Sequence, residues 1–194
     1  MSRNERNEVS YYPEIRDYIE SQIKSNFKAS CHREHYIFWE IGELKKGLRT
    51  IISANPEICA CAESFAQNVP PLSLDIFALV TDGVKFEILI LEVKIGKPVG
   101  LKEWSQLVGY CLVSGAKYGL LINIDQGGSP RLMDLLRNET HLSHIKTVKD
   151  TGNEHLLGFM TWDSDTRNFE YSLLGAVKSL SSLSEGLASE FGIN

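Results

Sequence analysis

Two carboxylates and one lysine fall at the ends of neighbouring apolar runs in this sequence. Asp75 opens the run of residues 76–80, and Glu92 and Lys94 follow the run of residues 86–91. Carboxylate oxygens are preferred ligands of Mg²⁺, and a lysine beside them can position or activate a water molecule. A metal held in this way neutralises charge on a phosphate and lowers the pKa of a bound water. These residue types therefore suit phosphodiester hydrolysis.

The segment between the two runs decides whether these side chains meet. Residues 81–83 are Thr-Asp-Gly, and an Asp-Gly step is typical of the turn between antiparallel strands. Such a hairpin places Asp75 about level with the end of the returning strand. Residues i and i+2 of a strand share a face, so Glu92 and Lys94 point the same way, while Val93 points into the opposite layer. The spacing alone leaves one alternative open, in which these residues are solvated strand ends.

The next segment continues the pattern of alternating strands and helices. Residues 95–100 contain two glycines and a proline, which is typical of a loop, and residues 101–115 show helical spacing of apolar side chains. Gln106 and Tyr110 lie four apart and therefore share one face of that helix. Residues 118–124 form a nearly continuous apolar run, which is typical of a strand buried on both faces.

Residues 74–124, about a quarter of the chain, resemble the PD-(D/E)xK nuclease superfamily. The match consists of an Asp at the start of one strand, Glu-x-Lys at the end of the next, a helix with Gln-x-x-x-Tyr, and an Ala-Lys-Tyr-Gly entry into an apolar strand. One departure is that Leu74 stands where the motif has proline. The resemblance implies an α/β, restriction-endonuclease-like fold with an αβββαβ core, in which helices flank a mixed central sheet.

The resemblance also implies roles for individual residues. Asp75 and Glu92 look like the metal-binding carboxylates, and the carbonyl of Val93 would complete the ligand set. Lys94 looks like the catalytic lysine, and Gln106 like an accessory residue at the site. The implied activity is that of a DNA endonuclease of the restriction or repair type, with Mg²⁺ as cofactor and Mn²⁺ as substitute. The alternative is a catalytically inactive nucleic-acid-binding or regulatory protein that retains the nuclease fold.

Proteins that this chain resembles often carry a further acidic residue on an N-terminal helix. Pro13 suits a first helical turn, and the residues that follow it form an apolar stripe at helical spacing. Glu14 borders this stripe and is the candidate, with Glu20 as the second choice. The alternative role for Glu14 is to complement the helix dipole.

Length and charge limit the class of protein. The 194 residues predict a single domain, 1–194, and no apolar stretch approaches the length of a membrane span. The polar N-terminus has no signal-peptide pattern, so we expect a cytoplasmic protein with no membrane partner. The net charge of −5 lowers the expected nonspecific affinity for DNA, although residues 92–117 contain four lysines and two acids. We expect a homodimer, because one small domain with one site needs a second copy to cut both DNA strands.

The remaining chain supplies the scaffold and several weaker candidate sites. The expected elements are a first strand 35–41 continued by 48–53, a short helix 56–65, a hairpin formed by 156–162 and 169–173, and a closing helix 174–187. Zinc binding by cysteine and histidine is disfavoured because their spacings are poor; the residues concerned are Cys31, His32, His35, Cys59, Cys61, His141 and His144. Asp163 and Asp165 are better explained as turn residues than as a calcium site. Residues 131–146 carry cations that fit an ordinary surface helix better than a substrate-contacting edge.

Overall fold

The computed structural model describes residues 6–30, 34–147, 154–170 and 174–192. Its helices are α1 Tyr12–Ser30, α2 Leu44–Ala54, α3 Glu63–Asn68, α4 Leu101–Ser114, α5 Pro130–Asn138 and α6 Leu180–Glu190. Its strands are β1 Tyr36–Glu43, β2 Ser73–Thr81, β3 Phe86–Lys94, β4 Tyr118–Ile124, β5 His144–Lys146, β6 Glu154–Asp163, β7 Asn168–Phe169 and β8 Leu174–Gly175. Within these ranges, no helix combines the length and apolar character that a bilayer crossing requires.

The described strands form one open, mixed sheet in the order β1-β2-β3-β4-β6-β5, with β7 and β8 also paired to β6. The first three strands are successively antiparallel. By contrast, β3, β4 and β6 run parallel to one another, and α4 makes the crossover from β3 to β4. The predicted α/β class with a mixed central sheet flanked by helices is confirmed.

Helices cover both faces of the sheet, and the alternation of side chains along β3 separates the two layers. Leu89 and Leu91 pack in the layer that contains α1 and α6. Ile88 and Ile90 pack in the opposite layer with α2, α4 and α5. Burial of each such side chain is worth about 1.5–3 kcal/mol, which holds the strand in this register. Because Glu92 and Lys94 have the parity of Ile88 and Ile90, they belong to the second face.

The predicted hairpin of β2 and β3 is confirmed. Gly83 has φ 87°, a conformation that favours glycine at this turn. The Asp82 carboxylate accepts hydrogen bonds from the backbone amides of Val84 and Lys85, at 2.9 and 2.8 Å. The register then runs from the Thr81–Phe86 pair to the pair of Ile76 and Leu91. This ladder ends one residue before Asp75, at the end of the sheet where Glu92 lies.

The expected continuation of the first strand over residues 48–53 is wrong, because this segment belongs to helix α2. The β-branched residues 50–52 favour a strand, but Leu44, Leu48 and Ile51 recur at helical spacing and are all buried. Their packing against the sheet outweighs the local preference of three residues. The first strand itself is confirmed over Tyr36–Glu43.

The boundaries of two predicted helices also differ from those in the structure. The expected helix over 56–65 is only partly present, as a 3-10 turn at Ala60–Ala62 followed by α3. The closing helix begins at Leu180 and not at residue 174, because Ser179 caps it by accepting a hydrogen bond from the Ser182 amide at 2.9 Å. Residues 174–175 instead pair with β6.

The predicted hairpin of residues 156–162 and 169–173 is confirmed as the antiparallel pair of β6 and β7. Residues 171–173 of its expected second strand lie outside the described residues.

Candidate functional site

The three chemically distinctive side chains of the β2–β3 hairpin meet where the two strands separate. The backbone amide of Val93 donates a hydrogen bond to Asp75 Oδ2 at 2.9 Å, so a carboxylate replaces the next strand–strand contact. This bond fixes the Asp75 side chain against β3 without the cost of an unsatisfied amide. The end of the ladder therefore positions one carboxylate within reach of the Glu92-Val93-Lys94 segment.

The Lys94 ammonium lies at the centre of this cluster. Its Nζ donates to Val93 O at 2.8 Å and to Asp75 Oδ2 at 3.0 Å, and it lies 2.7 Å from Glu92 Oε1. These are the oxygens of the three residues that the sequence predicted as metal ligands. Two carboxylates and one backbone carbonyl thus converge on a single position that a cation already occupies.

Burial within the cluster is uneven. The Glu92 side chain is 1% exposed, whereas those of Asp75 and Lys94 retain 22% and 26% of their exposure. The cluster therefore has a buried floor formed by Glu92 and an open side where Asp75 and Lys94 meet solvent. Water and a charged substrate can reach the cluster from that side.

The ionisation of Glu92 and Lys94 follows from this environment. Burial raises the pKa of Glu92 to about 7; Lys94 opposes this shift, and the Asp75 and Glu8 carboxylates reinforce it. Burial works against the Lys94 ammonium, but its contacts with Glu92 and Asp75 outweigh burial and raise the pKa of Lys94 above its usual range. At neutral pH the lysine is therefore charged, and Glu92 titrates in the physiological range.

Asn123 on β4 supports the end of β3 and was missed by sequence reasoning. It is completely buried, and its Nδ2 donates to the carbonyl oxygens of Lys94 at 3.3 Å and Lys97 at 2.9 Å. Its Oδ1 accepts from the Gln126 amide at 2.8 Å. One side chain thus joins the end of β3, the following loop and the turn after β4. The available signal was an amide side chain inside an otherwise apolar strand, which needs partners when buried.

The N-terminal segment also reaches the site, through residues that the sequence did not single out. Tyr12 is buried and donates from its hydroxyl to Glu8 Oε1 at 3.1 Å. Burial, together with the Asp75 and Glu8 carboxylates, raises the pKa of Tyr12 above its usual range. Glu8 also acts on the pKa of Glu92, as described above. The signal in the sequence was the spacing of four residues between Glu8 and Tyr12, because it places both side chains on one side of a helical segment.

The two acids that the sequence favoured in this segment are engaged elsewhere. Glu14 forms an ion pair with Arg6 at 2.9 Å, and Glu20 pairs with Lys24 along α1. Among the described residues, none of the hydrogen bonds or ion pairs of Glu14 joins it to Asp75, Glu92 or Lys94.

Gln106 and Tyr110 share a face of α4, as expected, and contact each other. Gln106 Nε2 donates to the Tyr110 hydroxyl at 2.9 Å, and Tyr110 packs at the edge of the apolar layer around Leu107. Within the described part of the chain, the hydrogen bonds of Gln106 do not extend to the Lys94 cluster. Its accessory role stays a prediction.

Among the described residues, the weaker candidates form no competing metal centre. Over residues 6–30, 34–147, 154–170 and 174–192, no three histidine, cysteine or acidic side chains gather as a metal site. Cys31 and His32 lie outside these ranges. Asp163 accepts from the backbone amides of Asp165 and Thr166, at 2.8 and 2.9 Å, as a turn residue does.

Comparisons with known proteins add no family assignment. A scan of protein-family models, a search of curated proteins and a search of solved structures each return no match. The functional interpretation therefore depends on the geometry of the site itself.

Proposed function

We propose that this chain is a Mg²⁺-dependent nuclease with a restriction-endonuclease-like fold and that its substrate is DNA. The observation that carries the proposal is the convergence of Asp75 Oδ2, Glu92 Oε1 and Val93 O on the position of the Lys94 ammonium. The element order is compatible with an αβββαβ core formed by α1, β1, β2, β3, α4 and β4. In that assignment, α2 and α3 are an insertion between the first two strands.

The donor set fits a hard divalent cation. All three donors are oxygens, two of them carry charge when ionised, and they already surround a positive group at one point. Asp75, Glu92 and the Val93 carbonyl would hold the ion, with Mn²⁺ as a substitute for Mg²⁺. Such an ion supplies charge neutralisation at the phosphate and a bound water of lowered pKa.

Lys94 would act as a cationic hydrogen-bond donor. Its contacts with Glu92 and Asp75 raise its pKa, so it is charged at neutral pH and can donate hydrogen bonds. Its ammonium would orient the attacking water and stabilise charge that develops on the phosphate. Asn123 is a positioning residue in this scheme, because it fixes the backbone that carries Lys94.

A second candidate function is suggested by the same ion cluster. Lys94 contacts both carboxylates, so the cluster is balanced electrostatically by protein groups alone. A chain that uses this arrangement only for structure would be a nucleic-acid-binding or regulatory protein that retains the fold without cleavage.

One experiment separates the two functions. The purified protein is incubated with supercoiled, linear, branched and single-stranded DNA in Mg²⁺, Mn²⁺, Ca²⁺ or EDTA, and calorimetric titration with Mn²⁺ follows metal binding. We expect cleavage in Mg²⁺ and Mn²⁺, little turnover in Ca²⁺, whose looser coordination positions water poorly, and none in EDTA. Asp75→Asn should lose both cleavage and Mn²⁺ affinity, whereas Lys94→Ala should lose cleavage and retain Mn²⁺ binding.

Two results would contradict the nuclease proposal. Cleavage that persists in EDTA would exclude the two-carboxylate metal mechanism. Mn²⁺ affinity that Asp75→Asn leaves unchanged would place the ligands elsewhere. DNA binding without cleavage under every condition would favour the second function.

A further inference from the structure

Helix α2 carries a local concentration of positive charge in an acidic chain. Residues 44–55 include Lys45, Lys46 and Arg49 and contain no acid, in a chain of net charge −5. The opposite face of the helix is apolar and buried through Leu44 and other residues that pack on the sheet. Packing therefore fixes the direction in which the cationic face points.

The three cations of α2 have no acidic partner in the described part of the chain. Other cations, such as Arg6 and Lys117, form ion pairs within the protein. Lys46 and Arg49 are exposed and Lys45 is half-buried, and none of the three enters an ion pair between described residues. Charge that the protein does not neutralise internally is available to an anionic partner.

Small hydroxyl side chains complete this surface. An open groove of about 560 Å³ runs along the helix and is lined by the three cations together with Thr50, Ser53 and Glu43. Ser53 can donate a hydrogen bond to an anionic oxygen, whereas the Thr50 hydroxyl donates to Lys46 O at 3.1 Å; the small size of both side chains leaves the groove accessible. The arrangement combines cations with a short hydroxyl donor, which is the composition of a phosphate-binding surface.

The α2 surface lies at the same end of the sheet as the Lys94 cluster. Glu43, just before α2, pairs with Ser73 on β2, two residues before Asp75. The Leu44 amide donates to Leu72 O at 2.8 Å, which ties the start of α2 to the segment that leads into β2.

The surface and the cluster also share one face of the sheet. Leu44 and Leu48 of α2 pack in the same apolar layer as Ile88 and Ile90. Glu92 has the same parity along β3 as those isoleucines, so it belongs to that face. A long, extended polyanion that reaches the cluster would therefore pass close to α2.

We propose that the exposed face of α2 binds the phosphate backbone of duplex DNA and holds it against the Asp75–Lys94 site. This inference rests on the proposed nuclease function, since it assigns the substrate contact of that same site. Lys45 and Arg49 are separated by a rise of about 6 Å along the helix, so they can contact different phosphates of one strand. Contacts of this kind supply affinity and orientation without reading sequence.

The test compares two double variants that each remove two exposed cations. Lys46→Ala with Arg49→Ala removes charge from the α2 surface, and Arg137→Ala with Lys178→Ala removes the same charge from other parts of the surface. Both are made in the Glu92→Gln background and measured without metal, by fluorescence anisotropy of a labelled duplex over a series of salt concentrations. Thermal melts establish that each variant folds.

We expect the α2 variant to bind duplex DNA about tenfold or more weakly at 0.1 M salt, and its log–log salt dependence to be shallower by about 2. The control pair should change affinity by less than about twofold. A variant that exchanges the two cation types, Lys46→Arg with Arg49→Lys, should bind as tightly as the parent. Equal losses in both alanine pairs, an unchanged salt slope, or no duplex binding by the parent would overturn the inference.

Binding and cleavage fail separately in this design. If the wild-type protein cleaves DNA and the α2 variant binds normally, the nuclease proposal stands and the α2 inference is wrong. If binding depends on α2 but no DNA is cleaved in any metal, the α2 surface stands and the proposed chemistry fails.

Discussion

Two glutamates lie at opposite ends of β3, Glu87 half-buried and Glu92 buried, and they share a property that is often associated with catalysis. Burial raises the pKa of Glu87, at the start of the strand, to about 7, and it does the same for Glu92 near the end. A nearby lysine opposes each shift: Lys117 lowers the pKa of Glu87, and Lys94 lowers that of Glu92. By ionisation alone, the two ends of the strand look equivalent.

The two lysines differ in what surrounds them. Lys94 contacts oxygens of three residues from two strands. Lys117 forms an ion pair with the side chain of Glu190, the last residue of α6. The backbone carbonyl of Glu190 also accepts a hydrogen bond from Lys85 Nζ at 3.0 Å. At that end of the sheet, Lys117 and Lys85 therefore connect α6 to the segments just before β4 and β3. A raised carboxyl pKa therefore marks burial, whereas convergence of several oxygens on one point marks a place for a cation.

The sharpest test of this comparison exchanges each glutamate for its neutral isostere. Glu92→Gln should lower the Mg²⁺-dependent cleavage rate by about a thousandfold or more, because it removes a charged ligand worth several kcal/mol in transition-state stabilisation. Glu87→Gln should change the rate by less than about twofold. Single-turnover cleavage of a labelled duplex measures both. Equal effects of the two substitutions on the cleavage rate would show that burial of a glutamate, and not the convergence of oxygens around Lys94, determines its contribution to cleavage.

Polar groups on β4 extend the comparison to the neighbouring strand. Asn123→Ala removes an amide that serves three backbone groups, so the free energy of unfolding should fall by about 2–4 kcal/mol. Tyr118→Phe, at the other end of β4, removes a buried hydroxyl that has no hydrogen-bond partner among the described residues. That change should leave the free energy of unfolding within about 1 kcal/mol or raise it slightly. Urea unfolding of both variants provides the measurement, and a larger loss for Tyr118→Phe would contradict it.

The smallest expected effect concerns pH. The folded-state pKa of Glu87 lies above the usual value of about 4.5, so its contribution to stability is fully present below pH 4.5 and is lost as pH rises through about 7. Glu87→Gln should therefore raise the free energy of unfolding relative to wild type at pH 8, by on the order of 1–3 kcal/mol, and much less at pH 5. Urea midpoints at the two pH values test this. An equal increase in the free energy of unfolding at pH 5 and pH 8 would show that Glu87 is not the titrating group.

Sequence patterns predicted the parts of the fold in which local signals agree. The Asp-Gly turn, two apolar runs and the strand parity of Glu92 and Lys94 all indicated one hairpin, and the structure contains it. Helix α4 and strand β4 followed from spacing in the same way. The carboxylate and lysine cluster was predictable because register converts sequence separation into contact within a hairpin.

The features that the sequence did not reveal depend on contacts between distant segments. Asn123 supports Lys94 from a strand 29 residues away in the chain, a separation that neither strand's own pattern encodes. Glu8 precedes the helix that Pro13 suggested, since a 3-10 turn at Glu8–Tyr11 extends the helical segment toward the N-terminus. In α2, packing of one buried face overrode the strand preference of residues 50–52.

The position of β1 at the border of the sheet has a consequence for self-association. Among the described residues, β1 pairs only with β2, so its outer backbone groups could template another strand. Strands related by a two-fold axis across such a border run antiparallel. A dimer of this kind would therefore point its two Lys94 clusters toward opposite ends of the joined sheet.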